Sequence, residues 1–300
     1  MTLVELEQAL NRAGNGSDWV GLISRYFDLY DLNFGHGTDN SSDEAYWLVR
    51  HQQRWDDVAW ERPPDPALIP GLIALAQDRV TTRKPLAYLL GEAWFAGLRF
   101  AVDERVLIPR SPLAELIARG FEPWCHLHNG DRILDLGTGS GCLAVATAHH
   151  WPDVTVDAVD VSKEAIDVAR ANIAAHDLAE RVRAIQSDLF AAVEGRYRVI
   201  ISNPPYVPEP RLAELPPEYA HEPCLALAGG PEGLSLVAEI LLRSPRYLVA
   251  DGVLIIEVGE AQEAFKTAYA DLPVTWLAFE HGGEGVFVLT RDELTGYLAG

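Results

Sequence analysis

From Asp131 onward, apolar runs of strand length alternate with helical segments, and this alternation constrains the chain more than any other feature. The runs fall at 131–136, 154–159, 182–186, 197–202 and 248–258, with shorter ones near 273–280 and 285–290. Segments of helical period occupy 140–149, 162–176, 231–244 and 260–270. The pattern predicts an α/β fold: a parallel sheet with helices on both faces. Open sheets of this kind bind ligands beyond the carboxyl ends of their strands. The residues that follow each run are therefore the first place to look for chemistry.

Four of those positions carry distinctive residues. Leu134-Asp135-Leu136-Gly137-Thr138-Gly139-Ser140-Gly141 closes the first run, where glycines let a backbone approach a ligand and turn sharply into a helix. Gly139 to Ala144 also satisfies the dinucleotide pattern G-x-G-x-x-A, so this loop alone suits a nicotinamide cofactor equally well. Asp160 ends the second run, where a carboxylate can accept both hydroxyls of a ribose. The plainer reading there is a helix start, with Ser162 as N-cap and Asp160 solvated. Asp188 and Leu189 follow the third run, placed to accept an adenine amine and cover its face, or simply to form a turn. Asn203-Pro204-Pro205-Tyr206 follows the fourth. Two prolines remove two donors and fix their φ angles, and Asn203 before them is pushed to an extended conformation. The stiff turn leaves the Asn203 amide oxygen and the Pro204 carbonyl to accept from a planar NH2 group; taken alone, the four residues read equally well as an ordinary loop after a strand. Nothing in nicotinamide chemistry calls for this fourth element.

Residues 3–90 read as mostly helical. Leu3, Leu6 and Leu10 share a face, and Trp19, Leu22, Ile23, Tyr26, Phe27 and Tyr30 follow helical spacing as packing core. Gly35 to Asn40 is a loop, after which Ser41 or Ser42 offers an N-cap with Asp43 and Glu44 in the first turn. A connector at Pro63 to Pro66 precedes a helix through about Thr82. Ala93 to Val102 reads as a hairpin about Gly97, and Leu113, Leu116 and Ile117 begin a further helix.

The formal net charge is −20, which repels nucleic acid phosphates and steers basic partners inward. Cys125, Cys142 and Cys224 are far apart and the nine histidines form no HExxH, so no metal site is expected. The cysteines read as reduced core or near-site residues of a cytoplasmic protein. The acidic first ten residues do not resemble a signal peptide, and no apolar run reaches membrane-spanning length.

Glycine loop, two acids and Asn-Pro-Pro-Tyr at successive strand ends resemble the class I S-adenosyl-L-methionine-dependent methyltransferases that act on planar amino groups. Leu107 to Glu115, with Pro109-Arg110-Ser111-Pro112, is similar to the segment before the glycine loop in the HemK/PrmC-like protein glutamine methyltransferases. So are His221-Glu222-Pro223 and Ala226 to Leu234. The Ser111-Pro112 form and the Gly35 to Asn40 loop resemble the PrmB branch, and the likeness spans nearly the whole chain. It implies a Rossmann-like methyltransferase domain over 111–300, after a helical substrate-recognition domain (1–90) and a β-hairpin linker (91–110). The cofactor implied is S-adenosyl-L-methionine. Asp135, Gly137, Thr138, Gly139, Ser140 and Gly141 would surround its methionine part, Asp160 its ribose, and Asp188 and Leu189 its adenine, with Asn203 closing the site. Catalysis would fall to Asn203, Pro204, Pro205 and Tyr206. Leu107 and Arg110 would line the glutamine or cofactor entrance, with a surface ion pair as the alternative for Arg110. The partner implied is the large-subunit ribosomal protein L-three, free or in an assembly intermediate, with no membrane and no sequence-specific nucleic acid contact. Competing readings are a release-factor glutamine methyltransferase, an adenine amino methyltransferase, and a non-catalytic ribosome assembly module.

Overall fold

The computed structural model describes residues 1–54 and 60–300. Two compact units divide the chain: Met1–Ala93 with Pro216–His221, and Trp94–Leu215 with Glu222–Gly300. Among the described residues no helix is long and apolar enough to cross a membrane.

The first unit is helical, with α1 (Leu3–Leu10), α2 (Gly16–Phe27), α3 (Ser41–Gln53), α4 (Ile69–Thr82) and α5 (Leu86–Leu90). Each of the first three starts on a polar side chain that accepts an otherwise unpaired N–H: Thr2, Asn15 and Asn40. Asn40, and neither Ser41 nor Ser42, caps α3, because its extended backbone precedes the helix while Ser41 already lies within it. Leu6, Leu10, Trp19, Ile23, Tyr26 and Phe27 are buried as their spacing requires, whereas Tyr30, beyond the end of α2, is exposed. Glu44 is no solvated first-turn acid. It is buried against Arg79, whose Nε donates to its carboxylate at 2.9 Å. Arg79 also reaches Glu218 at 3.2 Å, and Glu218 in turn accepts the Asn33 N–H at 2.9 Å. Glu218 belongs to Pro216–His221, the short return of the chain into this unit.

The chain leaves the first unit within β1 (Glu92–Phe95), which forms a hairpin with β2 (Leu98–Ala101) about Gly97. After α6 (Leu113–Ala118) come β3 (Arg132–Leu136), α7 (Cys142–His150), β4 (Thr155–Asp160), α8 (Lys163–Ala175), β5 (Val182–Gln186) and β6 (Tyr197–Ser202). Beyond a short α9 (Glu209–Leu212) lie α10 (Ser235–Arg243), β7 (Leu248–Glu257), α11 (Gln262–Ala268), β8 (Thr275–Trp276), β9 (Val286–Thr290) and α12 (Arg291–Ala299). The seven-stranded sheet has the order β5-β4-β3-β6-β7-β9-β8. β3 to β7 run parallel, and β9 is antiparallel to both β7 and β8. β6 is buried along its whole length, as a central strand covered on both faces must be.

The expected alternation is present, with three differences. α10 begins at Ser235 rather than 231, because Gly229 to Gly233 is taken up in a tight turn beside the Val207–Ala228 bridge. The strand expected over 273–280 shrinks to two residues. α12 was not foreseen, although Thr290 and Glu293 form a capping box at its start.

Candidate active site

The strand order reverses between β3 and β6: the chain steps from β3 outward to β4 and β5, then returns to β3's other side. That reversal opens a crevice at the carboxyl ends. Register fixes what meets there. Leu136 is paired with Val159 on one side and Ser202 on the other, and the Ser202 hydroxyl donates to the Leu136 carbonyl at 2.8 Å. Gly137 and Asn203 are therefore neighbours.

The glycine loop is held from below and from the side. Gly137 N and Thr138 N both donate to the Val159 carbonyl at 2.8 Å. Gly141 turns the loop into α7 at φ +81°, and a Cβ there would meet the Ala169 Cβ at 3.2 Å. Gly139 N donates to Asp160 Oδ2 and Ser162 N to Asp160 Oδ1, each at 2.9 Å. Ser162 also caps α8 by accepting from Ala165 N. Ser162 is thus the cap that the plainer reading expected, but Asp160 is not simply solvated: it is held by two backbone N–H groups and lines the cleft. Burial raises the Asp160 carboxyl above its ordinary range, opposed by the backbone bonds from Ser162 and Gly139. Each carboxylate oxygen has spare acceptor capacity for a hydroxyl.

The cleft is open on one side, and its empty space, part of it continuous with solvent, amounts to about 810 Å³. Gly137, Gly139, Asp160, Asp188 and Leu189 line it, and so do Asn203, Pro205 and Leu107. Asp135, Thr138, Ser140 and Gly141 do not. They are buried away from it, and Thr138 Oγ1 donates to Asp135 Oδ2 at 2.6 Å. Asp135 is fully buried, and that burial pushes its carboxyl up to about 7, against the Thr138 bond and reinforced by the charge of Asp160. Arg110 does not line the cleft either. It grips the buried Glu222 through Nη1 and Nη2, both at 2.6 Å, an ion pair with a buried partner rather than a surface one. Pro204 and Tyr206 also lie outside the cleft; the phenol end of Tyr206 packs against Gly259.

Sequence reasoning missed several participants. Val161 (48% exposed) and Leu225 (58% exposed) are apolar residues on the cleft wall, joined by Pro223 and Ala226. The signal for Val161 was its place directly after the strand-ending acid. Pro223 and Ala226 lay within segments quoted only for family likeness. Asn172 is buried in α8 and donates to the Ser140 carbonyl at 2.8 Å while pairing with Ala101, tying the glycine loop to β2. Of the cysteines, which are all free, Cys125 is buried and Cys224 is exposed beside the cleft-lining Pro223 and Leu225.

A backbone cradle, a rim carboxylate with spare acceptors and apolar walls suit a nucleoside with a charged tail. The family model "Methyltransferase small domain" matches residues 122–213. The ribosomal protein uL3 glutamine methyltransferase of Neisseria gonorrhoeae is 43% identical over 282 residues, covering 91% of this chain and 93% of the relative. That of Bordetella pertussis is 45% identical over 266 residues, covering 87% and 89%. Among solved structures, the hMettl16 catalytic domain in complex with MAT2A 3′UTR hairpin 6 matches 74% of this chain and 80% of its own at TM-score 0.51. Its 16% identity makes that a likeness of fold alone. The sheet order and these matches agree on a class I methyltransferase fold, and the chain belongs to the ribosomal protein uL3 glutamine methyltransferase family.

Proposed function

We propose that this chain transfers a methyl group from S-adenosyl-L-methionine to the side-chain amide nitrogen of a glutamine in large-subunit ribosomal protein uL3. The observation that carries the reading is the adjacency of Asn203 to the cleft that Asp160 and Asp188 line, in a chain whose relatives bear that name over nine-tenths of its length. Bound S-adenosyl-L-methionine supplies an electrophilic sulfonium methyl. Asp160 accepts from the ribose hydroxyls, Asp188 and Leu189 hold the adenine, and Gly137 and Gly139 let the backbone approach the methionine part. Asp135 and Thr138 act by fixing the loop.

An amide nitrogen is a poor nucleophile because its lone pair is delocalised into the carbonyl. The Asn203 side-chain oxygen and the Pro204 carbonyl each accept one amide N–H, leaving the lone pair aimed at the methyl. Both bonds strengthen as positive charge develops on nitrogen, so they favour the transition state over the bound substrate. Holding nucleophile and methyl in line supplies the rest. Pro205 stiffens the turn and Tyr206 walls the amide plane. The methylated amide loses its proton to water.

The helical unit serves substrate recognition, the acceptor is uL3 free or within an assembly intermediate, and the work is done in the cytoplasm. A strongly acidic enzyme suits a basic ribosomal protein and disfavours sequence-specific nucleic acid contact. The test is incubation with labelled S-adenosyl-L-methionine and undermethylated uL3, release factors and adenine-containing nucleic acid, followed by mapping of the modified residue. A methylated uL3 glutamine is expected. Label in release factors with uL3 untouched, or on adenine, would overturn the reading.

A further inference from the structure

Glu257 ends β7 with its side chain almost wholly buried, and three parts of the second unit converge on it. The Ser111 hydroxyl donates to Glu257 Oε2 at 2.5 Å and itself accepts the Leu113 N–H at the start of α6. The Tyr206 hydroxyl bonds to the same carboxyl, and the Arg110 guanidinium, gripped by Glu222, adds its field. The phenol end of Tyr206 also rests on Gly259, two residues beyond Glu257. A Cβ at that glycine would come within 2.5 Å of the ring Cζ. The ring is thus fixed at its tip by a carboxyl and along its flank by bare backbone.

A buried carboxyl is a costly way to fill space, since an apolar side chain of similar volume is commonly as stable or more so. What it supplies here is geometry. We propose that Ser111 and Glu257 are positioning residues for methyl transfer, holding the Tyr206 ring, and through it the Asn203–Tyr206 turn, in the orientation that presents the acceptor amide. The role rests on the glutamine-methyltransferase reading. An ionised Glu257 accepts from both hydroxyls at once, whereas a protonated one surrenders part of that capacity. Burial pushes the Glu257 carboxyl up to about 7, against the Ser111 bond, the Arg110 charge and the Tyr206 bond. Activity should therefore rise with pH through that region.

The experiment compares wild type, Glu257→Gln, Tyr206→Phe and the double variant in single-turnover methylation of uL3 at saturating cofactor. Each single variant should lose roughly tenfold in rate with cofactor affinity unchanged, and the double variant should lose no more than the worse single one. The wild-type rise through about pH 7 should be missing in Glu257→Gln. Losses that multiply, or a pH limb that survives the substitution, overturn the proposal. A crystal structure of Glu257→Ala gives a readout independent of any acceptor: the Tyr206 ring should swing off Gly259, and a ring left in place overturns the proposal whatever the activity. A displaced ring together with a wild type that methylates no uL3 supports the coupling while sinking the substrate assignment.

Discussion

Asn203 stands one residue beyond Ser202, whose hydroxyl locks β6 to β3, so its backbone is set by the sheet and its side chain is free to be replaced. Asn203→Ala should slow single-turnover methyl transfer roughly 100-fold, as for loss of one preorganised transition-state hydrogen bond. Cofactor affinity should change far less, since Asp160 and the glycines remain; equal losses in both would make Asn203 structural. Asp160→Ala removes a cleft carboxylate and frees the Gly139 and Ser162 N–H groups, so on the proposed ribose role calorimetry should show cofactor binding weakened by about 1.5–3 kcal/mol. Asp135 makes a different prediction. Its carboxyl is raised from an ordinary value of about 4 to about 7 by burial. The folded state therefore holds the proton more tightly than the unfolded one. Stability from this group is fully present below about pH 4 and is lost as pH rises through about 7. Asp135→Asn cannot ionise and keeps an acceptor for Thr138. It should gain on wild type across that window in urea denaturation, and a pH-independent difference would contradict the assignment. At this scale the sequence pointed to three acids near strand ends, of which Asp160 and Asp188 line the cleft and Asp135 does not, and it could not tell them apart. Asp160 is the last residue of β4 and Asp135 the last but one of β3, and only their places in the sheet, one side chain buried and the other lining the cleft, decide between them.

Strand and helix order was legible because apolar runs of β-branched residues such as Val199-Ile200-Ile201 leave few alternatives. What was not legible is local competition among elements. The α10 segment looks helical from residue 231, yet Gly230 and Gly233 both adopt positive φ and consume the first turn. α12 buries only Leu294, so its period is faint, and the Thr290–Glu293 capping box was the one clear signal. Least legible was Pro216–His221, a six-residue return with no periodicity whose anchor is the Glu218–Arg79 pair. Both partners are fully buried or nearly so, and removing Glu218 leaves Arg79 with Glu44 alone and takes the buried partner of Arg83 as well. Glu218→Ala should destabilise the first unit by about 3–5 kcal/mol in chemical denaturation. A change below about 1 kcal/mol, the range of exposed pairs, would show that Glu44 alone satisfies Arg79.

For the whole molecule, the net charge of −20 acts on encounter rather than on chemistry. Raising salt from about 50 mM to about 500 mM, which shortens the screening length severalfold, should lower kcat/KM for uL3 while leaving kcat at saturating acceptor nearly unchanged. A salt-independent kcat/KM would remove steering from the account. The return of Pro216–His221 into the helical unit has a further consequence, for how such a protein can be rearranged. A single break after Ala93 does not release a self-sufficient piece: residues 1–93 alone keep Arg79 but lose Glu218, and the remainder carries Glu218 without its guanidinium. Shuffling the helical unit between relatives, by recombination or by design, therefore takes two exchanges made together, one at each end of the chain's detour. A graft that moves only the N-terminal ninety-three residues inherits half of a buried ion pair from each parent.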